Sequence, residues 1–222
     1  MPRIARIVAV GLPHHVTQRG NYQQNVFLDD SDRKQYLLWM QKYSSQYGLS
    51  ILTYCLMQNH VHFITIPHQE DSLAKTFNIT HMRYSQYFNR KTKTSGHLWQ
   101  GRFYSCVLDE PHLVLASRYI ERNPVRANIV KTPWEWKWSS ALAHIKGEGY
   151  LFKLSDLFKF LDMSPEAWGK YIDLQEEEKI LEKIKKHTLT GRPLGEVKFI
   201  EDLENRFKRR LSALPRGRPA KN

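Results

Sequence analysis

The sequence is short of cysteine, of long apolar runs and of acidic residues. Its 222 residues include Cys55 and Cys106 as the only cysteines, too few for a disulfide framework, which favours a protein of the reducing cytoplasm. No apolar run approaches the roughly 20 residues that span a bilayer, and the run at residues 7–10 is too short for a signal-peptide core. We therefore expect neither a disulfide-stapled secreted protein nor a membrane protein.

The shortage of acidic residues leaves a strong positive charge. There are 34 lysines and arginines against 22 acidic residues, which gives a net charge of +12. Such an excess attracts polyanions, either nucleic acid or an anionic membrane surface. A membrane surface would favour a cationic amphipathic helix with a broad apolar face, and the sequence offers no strong candidate. We expect a nucleic-acid partner, no membrane contact, a cytoplasmic location with the nucleoid, and a monomer or homodimer.

Turn residues and apolar spacing predict alternating strands and helices over the first two thirds of the chain. Strands are predicted at residues 14–19, 49–57, 60–66 and 102–108. Helices are predicted after Asp29, after Asp71 and from about Pro111 until shortly before Pro124, because proline disfavours helix in the residue before it. The order strand, helix, strand, strand, helix, strand, helix predicts an α+β fold with an antiparallel sheet and helices on one side.

The composition changes after residue 145. A Lys-Gly-Glu-Gly linker follows at 146–149, and further helical segments are predicted near residues 155–161, 165–187 and 196–211. We therefore divide the chain into a domain at 1–145, a helical C-terminal extension at 146–211 and a basic flexible tail at 212–222. In the tail, Pro-Arg-Gly-Arg-Pro at 215–219 resembles the core of an AT-hook, whose arginines enter the minor groove, although a purely electrostatic contact explains it equally well.

Two histidines on a predicted strand form the first candidate site. His60 and His62 are two residues apart, so both imidazoles project from the same face of the strand, as a divalent metal ion would need. The structural alternative is a pair of half-exposed sheet histidines, since His-x-His is common by chance. His14 and His15 are adjacent and face opposite ways, so they are expected to be structural or to contact phosphate.

Tyr119 and Asn123 form the second candidate site. They are four residues apart on the third predicted helix and therefore share a face. A phenol there could attack a phosphate, and the amide oxygen could complete a metal shell. The alternative is a packed tyrosine and an asparagine that ends a helix before proline. Arg19 and Arg102, at strand boundaries, are candidates for phosphate contacts, with a solvated arginine as the alternative.

Several segments resemble one family in order and at its spacing. Residues 56–62, Leu-Met-Gln-Asn-His-Val-His, resemble the HUH motif of single-tyrosine, IS200-like transposases. Residues 118–127, Arg-Tyr-Ile-Glu-Arg-Asn-Pro-Val-Arg-Ala, resemble the tyrosine motif of the REP-associated tyrosine transposases. Three more segments match that subgroup, at residues 15–21, 98–103 and 136–140. The resemblance covers about residues 10–145, and motifs in register are far more specific than one motif alone.

The sequence departs from the family pattern at two turns. Gln58 stands where the family usually has proline, and Asn128 stands where glycine usually follows the tyrosine motif. Asparagine tolerates positive φ better than other non-glycine residues, so that turn can survive. Neither departure removes a ligand or the nucleophile.

The resemblance implies an RRM-like or ferredoxin-like sheet with the tyrosine helix against the histidine strand. It implies a nuclease and strand transferase that acts on single-stranded DNA folded into hairpins of the REP type. His60, His62 and Asn123 would hold Mg²⁺ or Mn²⁺, and Tyr119 would form a 5′-phosphotyrosine intermediate. The residues predicted to bind DNA are Arg19, Arg102, Arg126, Arg216 and Arg218.

Two other functions remain open at this stage. A hairpin-binding regulator without catalysis explains the charge and the tail but leaves the four site residues as coincidence. A metal-dependent nuclease that uses water explains the histidines but not the tyrosine. A covalent protein–DNA adduct distinguishes the three hypotheses.

Overall fold

A four-stranded antiparallel sheet in the order β2-β3-β1-β4 forms the centre of the protein. The computed structural model describes residues 4–147 and 151–213, so the predicted DNA contacts of Arg216 and Arg218 lie outside the described residues. The strands are β1 (His14–Arg19), β2 (Leu49–Leu56), β3 (His60–Pro67) and β4 (Tyr104–Val107). Each lies within a residue or two of its predicted position, and β2 and β3 form the predicted hairpin.

The helices alternate with the strands as the sequence predicts. The first three are α1 (Asp30–Gln46), α2 (Ser72–Thr92) and α3 (Glu110–Glu121). In the described part of the chain they are followed by α4 (Asn123–Arg126), α5 (Ala141–Lys146), α6 (Pro165–Asp173), α7 (Glu178–Thr190) and α8 (Val197–Phe207). None of these helices combines the length and apolar character needed to cross a bilayer.

The first face of the sheet is covered by α1 and α2. Phe63 of β3 is fully buried there, with the rings of Tyr36 and Phe77 at centroid distances of 6.3 and 5.6 Å. A capping box fixes the start of α1, since Asp29 accepts the backbone N–H of Asp32 and Asp32 accepts that of Asp29. These contacts hold β3 by the face opposite to its two histidines.

The second face of the sheet is covered by α3 and by the C-terminal helix α7. Ile64 and Ile66 of β3 are buried on this side together with Ala116 and Ile120 of α3. The predicted α+β class and the C-terminal helices are confirmed, but helices lie on both faces rather than on one. The physical reason is that β3 is apolar on both faces, so each face needs a cover.

The C-terminal extension differs in detail from its prediction. The predicted helix at 165–187 is divided into α6 and α7, and residues 155–161 contain only a 3-10 turn, Leu157–Lys159. Backbone carbonyls at the end of α6 are occupied by arginines of the α3 region. Arg118 donates to the carbonyls of Leu174 and Gln175, and Arg122 donates to that of Ile172. These bonds satisfy the carbonyls that end a helix, and they tie the extension to α3.

Asn128 adopts the conformation that its position requires. Its φ is 54°, in the left-handed region that favours glycine. The turn after α4 therefore survives the replacement of the usual glycine, as expected.

Buried neutral histidines should make the fold sensitive to acid. Burial lowers the pKa of His81 to about 3 and that of His14 to about 4. Below the unfolded pKa of 6.5 the unfolded chain binds more protons, so stability present above that pH is lost as the pH falls towards the folded values. We expect the free energy of unfolding to fall by roughly 1.4 kcal/mol per pH unit for each such histidine.

Urea unfolding at about pH 7 and about pH 5.5 measures this loss. The variant His81→Gln should lose less stability between the two values than the unchanged protein does. His97→Gln, at an exposed position, is the matched control and should keep the full loss. Equal losses in His81→Gln and in the unchanged protein would contradict the expectation.

Candidate active site

His60 and His62 lie side by side on the face of β3 that meets α3. Their ring centroids are 5.0 Å apart, and both rings line a cavity of about 380 Å³. His62 is buried, whereas His60 is partly exposed. The alternation of the strand therefore projects both imidazoles together, as the spacing predicts. Their role as metal ligands stays a prediction.

The proton on His60 is fixed by its neighbour. Asn59 donates through Nδ2 to the backbone carbonyl of Gln23, so its Oδ1 is the atom that faces His60 Nδ1 at 2.6 Å. Because that oxygen can only accept, Nδ1 of His60 carries the proton and Nε2 has a free lone pair. Burial lowers the pKa of His60 to about 4, which keeps the ring neutral at pH 7.

His62 makes a similar hydrogen bond to His15, a residue outside the predicted site. Its Nδ1 lies 2.9 Å from Nε2 of His15, and the two rings are stacked with centroids 5.1 Å apart. Burial, with smaller effects from His60 and His15, lowers the pKa of His62 well below its usual value. In the described part of the chain His60 and His62 form hydrogen bonds only through Nδ1. Each Nε2 is left for a ligand.

Tyr119 lies directly against His62 and His15. Its ring is buried, with centroids 5.6 Å from His62 and 5.8 Å from His15. Helix α3 ends at Glu121 and α4 begins at Asn123, but Arg122 keeps helical torsion angles and its N–H still reaches the carbonyl of Arg118. Asn123 therefore remains one turn after Tyr119, and both line the cavity.

Asn123 has a polar atom without a partner. Its Nδ2 is buried and makes no hydrogen bond within the described residues. Buried polar atoms are nearly always satisfied, so an orphaned amide at a cavity wall indicates a partner from outside the chain. Rotating the amide would present its oxygen to the cavity instead.

These residues fit a divalent cation in an open site. His60 and His62 offer neutral nitrogens, and Asn123 offers an oxygen after amide rotation. Among the described residues no group of three or more His, Cys, Asp or Glu side chains forms a complete metal cage. The remaining positions around a cation would fall to phosphate oxygens and water, as Mg²⁺ and Mn²⁺ sites commonly require.

The phenol of Tyr119 is placed between opposing electrostatic effects. Burial raises its pKa, Arg126 lowers it, and Glu176 raises it. The Arg126 guanidinium lies 4.3 Å above the tyrosine ring, donates to the Tyr119 carbonyl and pairs with Glu176 at 2.7 Å. The net shift is upward, so the phenol is protonated at neutral pH.

The predicted DNA-binding arginines occupy different environments. Arg19 is exposed at the cavity rim and donates to Gln23 at 3.1 Å. Arg102 is exposed in the segment before β4. Arg126 pairs with Glu176, donates to the Tyr119 carbonyl and packs on the Tyr119 ring, and these contacts favour a role in positioning the tyrosine. Their contacts with DNA stay predictions.

Sequence reasoning missed the part of the cavity wall that α7 provides. Lys185, Thr188 and Leu189 line the cavity together with residues of β1 and β3. His15, which the sequence predicts to be structural or to contact phosphate, lines the cavity and bonds to both Thr188 and His62. Strand alternation places His15 on the same face as Thr17 and Arg19, and that signal could have included it. No local pattern connects it to Thr188.

Comparison with known proteins identifies related sequences and folds. The family model described as "Transposase IS200 like" matches residues 9–123. A solved structure of a REP-associated tyrosine transposase bound to a REP hairpin is 18% identical, with a TM-score of 0.53 over 74% of this chain and 96% of that one. The predicted fold is thereby confirmed.

A second solved structure is less similar in fold. A crystal structure described as a transposase from Deinococcus radiodurans R1 is 19% identical and covers 54% of this chain and 96% of its own, with a TM-score of 0.37. A search of curated protein sequences found no match.

Proposed function

The chain belongs to the IS200-like transposase family, and from that premise we propose that it cleaves and rejoins single-stranded or hairpin-forming DNA with Tyr119 as the nucleophile. The observation that carries this proposal is a buried phenol packed against His62, whose Nε2, like that of the neighbouring His60, makes no hydrogen bond among the described residues of a cavity that all three side chains line. The fold and the net charge of +12 support a polyanionic substrate.

The proposed reaction is a transesterification. The Tyr119 oxygen attacks the phosphorus and the bond from phosphorus to the 3′ oxygen breaks. In the balanced reaction the proton lost by the phenol is gained by the leaving 3′ oxygen, which becomes the 3′-hydroxyl. The product is a 5′-phosphotyrosine, which preserves a phosphodiester-type bond. The 3′-hydroxyl of another strand can then attack that bond and release the tyrosine, so rejoining needs no ATP.

A divalent cation, Mg²⁺ or Mn²⁺, held by His60, His62 and Asn123 would polarise the scissile phosphate and offset charge in the transition state. The chain's own residues hold the tyrosine in place. Arg126 packs on the Tyr119 ring and bonds to its carbonyl, and Glu176 holds Arg126. Arg126 also lowers the pKa of the Tyr119 phenol, so the phenol loses its proton more easily than it would if burial acted alone.

The composition of the cavity favours a tyrosine over water as nucleophile. None of the described residues that line the cavity is Asp or Glu, so no carboxylate is present there to activate water. Glu121 lies close in sequence, but its carboxylate is buried elsewhere and accepts hydrogen bonds from Ser140 and Trp168. The regulator hypothesis leaves the free Nε2 atoms and the orphaned Asn123 amide without a purpose.

A hairpin of the REP type is the substrate class that we propose. The sequence motifs of the tyrosine subgroup support it, and so does the similarity in fold to a protein solved with a REP hairpin. Arg19 at the cavity rim and Arg102 in the segment before β4 are the residues proposed to contact phosphate. The division at residue 145 and the monomeric or dimeric state stay predictions, although α7, from the predicted extension, forms part of the cavity wall.

The basic tail should contribute affinity rather than chemistry. Deleting residues 213–222 removes three positive charges, Arg216, Arg218 and Lys221. The slope of log affinity against log salt for hairpin DNA should fall by about two or three, because fewer counterions are released. Fluorescence anisotropy over a salt series measures the slope, and cleavage at saturating protein should persist. An unchanged slope would show that the tail does not touch DNA.

A further inference from the structure

A chain of hydrogen bonds runs from α7 to His62. Thr188 Oγ1 lies 2.7 Å from His15 Nδ1, and His15 Nε2 lies 2.9 Å from His62 Nδ1. At the other end, Thr188 Oγ1 lies 2.9 Å from the backbone carbonyl oxygen of Ile184. The three side chains are almost fully buried, with exposed fractions of 2% for Thr188, 1% for His15 and 6% for His62. Water has little access to these side chains, so the donors and acceptors of the protein decide where each proton lies.

The backbone carbonyl of Ile184, at the end of this series of hydrogen bonds, fixes the direction of each of them. A carbonyl oxygen can only accept, so the single hydroxyl proton of Thr188 points to Ile184. The hydroxyl oxygen then accepts from Nδ1–H of His15. A neutral imidazole has one N–H, so Nε2 of His15 is an acceptor and takes the proton of His62 Nδ1. The Nε2 of His62 is left with a free lone pair that faces the cavity.

The reverse direction is disfavoured by the same contacts. If Thr188 donated to His15, its oxygen would face the Ile184 carbonyl oxygen at 2.9 Å with no proton between them. His62 would then carry its proton on Nε2 and could not bind a metal ion through that atom. Cys106 Sγ lies 3.5 Å from Thr188 Oγ1 and can donate weakly to the same oxygen without competing for the hydroxyl proton.

We propose that Thr188 is a positioning residue: through His15 it fixes the tautomer of His62 and keeps Nε2 of His62 available to a divalent cation. The inference rests on the metal site of the proposed function. Asn59 performs the same task for His60, because its Oδ1 accepts the Nδ1 proton of that ring. Metal-binding histidines generally depend on such an acceptor at the second ring nitrogen. Thr188 lies beyond residues 9–123, so the C-terminal extension takes part in the site.

The test uses the full chain and removes one hydroxyl. Thr188→Val keeps the shape of the side chain, Thr188→Ala removes the hydroxyl without a second branch, and Thr188→Ser restores the hydroxyl. Thr190→Val is the matched control, because the Thr190 hydroxyl bonds to carbonyls of its own helix and does not contact His15. Long-range ¹H–¹⁵N NMR of the metal-free protein shows which nitrogen of His62 is protonated, and calorimetry with Mn²⁺ alone measures affinity.

The variants should distinguish the effect of losing the Thr188 hydroxyl from the effect of disturbing the fold. In Thr188→Val and Thr188→Ala the His62 proton should move from Nδ1 towards Nε2, and Mn²⁺ affinity should fall about 10-fold. Thr188→Ser and Thr190→Val should match the unchanged protein in both measurements. A His62 that stays protonated at Nδ1 in the Val and Ala variants, with unchanged Mn²⁺ affinity, would overturn the proposal. If the unchanged protein binds no Mn²⁺, the proposed metal site fails, while the NMR result still decides whether Thr188 sets the tautomer.

Discussion

Replacing Tyr119 with phenylalanine should reduce DNA cleavage by at least about 1,000-fold while leaving the affinity for hairpin DNA nearly unchanged. The substitution removes one oxygen from a buried ring that packs against His62 and His15. The ring contacts and the stacked Arg126 remain, so the cavity should keep its shape. What is lost is the nucleophile, and with it both cleavage and rejoining.

Single-turnover cleavage of an end-labelled hairpin, together with anisotropy for binding, measures the two effects separately. Tyr43→Phe is the matched control, because Tyr43 is a buried tyrosine of α1 on the opposite face of the sheet. It should cleave at the normal rate. An active Tyr119→Phe variant would show that another group attacks the phosphate.

Replacing His60 or His62 with alanine should have the second largest effect. Each change removes an imidazole whose Nε2 faces the cavity, and with it a proposed ligand of Mg²⁺ or Mn²⁺. A bound cation supplies several kcal/mol of charge stabilisation, so cleavage should fall by at least about 100-fold. Mn²⁺ affinity should fall as well, and thermal unfolding should show that the fold survives.

The control for this pair is His68→Ala. His68 is exposed beyond the far end of β3 and bonds to Ser50, so it lies on the same part of the chain but outside the cavity. It should retain full activity and Mn²⁺ affinity. Full cleavage by the unchanged protein in excess EDTA, or normal cleavage by both alanine variants, would contradict a metal-dependent mechanism.

Local patterns predicted the parts of the site that lie close together in the sequence. Strand alternation placed His60 and His62 on one face, and helical spacing placed Asn123 one turn after Tyr119. The third helix is predicted to end before Pro124 and α3 does end at Glu121, but α4 follows at once from Asn123, and the break between them does not separate the two side chains. These relations depend only on the backbone geometry of a few consecutive residues, so the sequence pattern predicts them directly.

The contacts between distant segments could not be predicted in this way. His15 and Thr188 are separated by 173 positions, and their hydrogen bond depends on how α7 packs against β1 and β4. The arginines of the α3 region are 50 to 57 positions from the carbonyls that they bind at the end of α6, where the predicted helix at 165–187 is interrupted. A helical pattern in the sequence indicates an apolar stripe. It does not indicate which side chains will donate hydrogen bonds to the carbonyls at the end of the helix.

The measurement that tests the central claim most directly is the identification of the residue that becomes linked to DNA. The full chain is incubated with Mn²⁺ and hairpin DNA labelled on either side of the cleavage point, denatured, digested and mapped by mass spectrometry. We expect a 5′-phosphodiester link to Tyr119, with the free 3′-hydroxyl on the other fragment. A link to Tyr104, the other tyrosine among the described residues that line the cavity, or cleavage with no covalent product, would contradict the account.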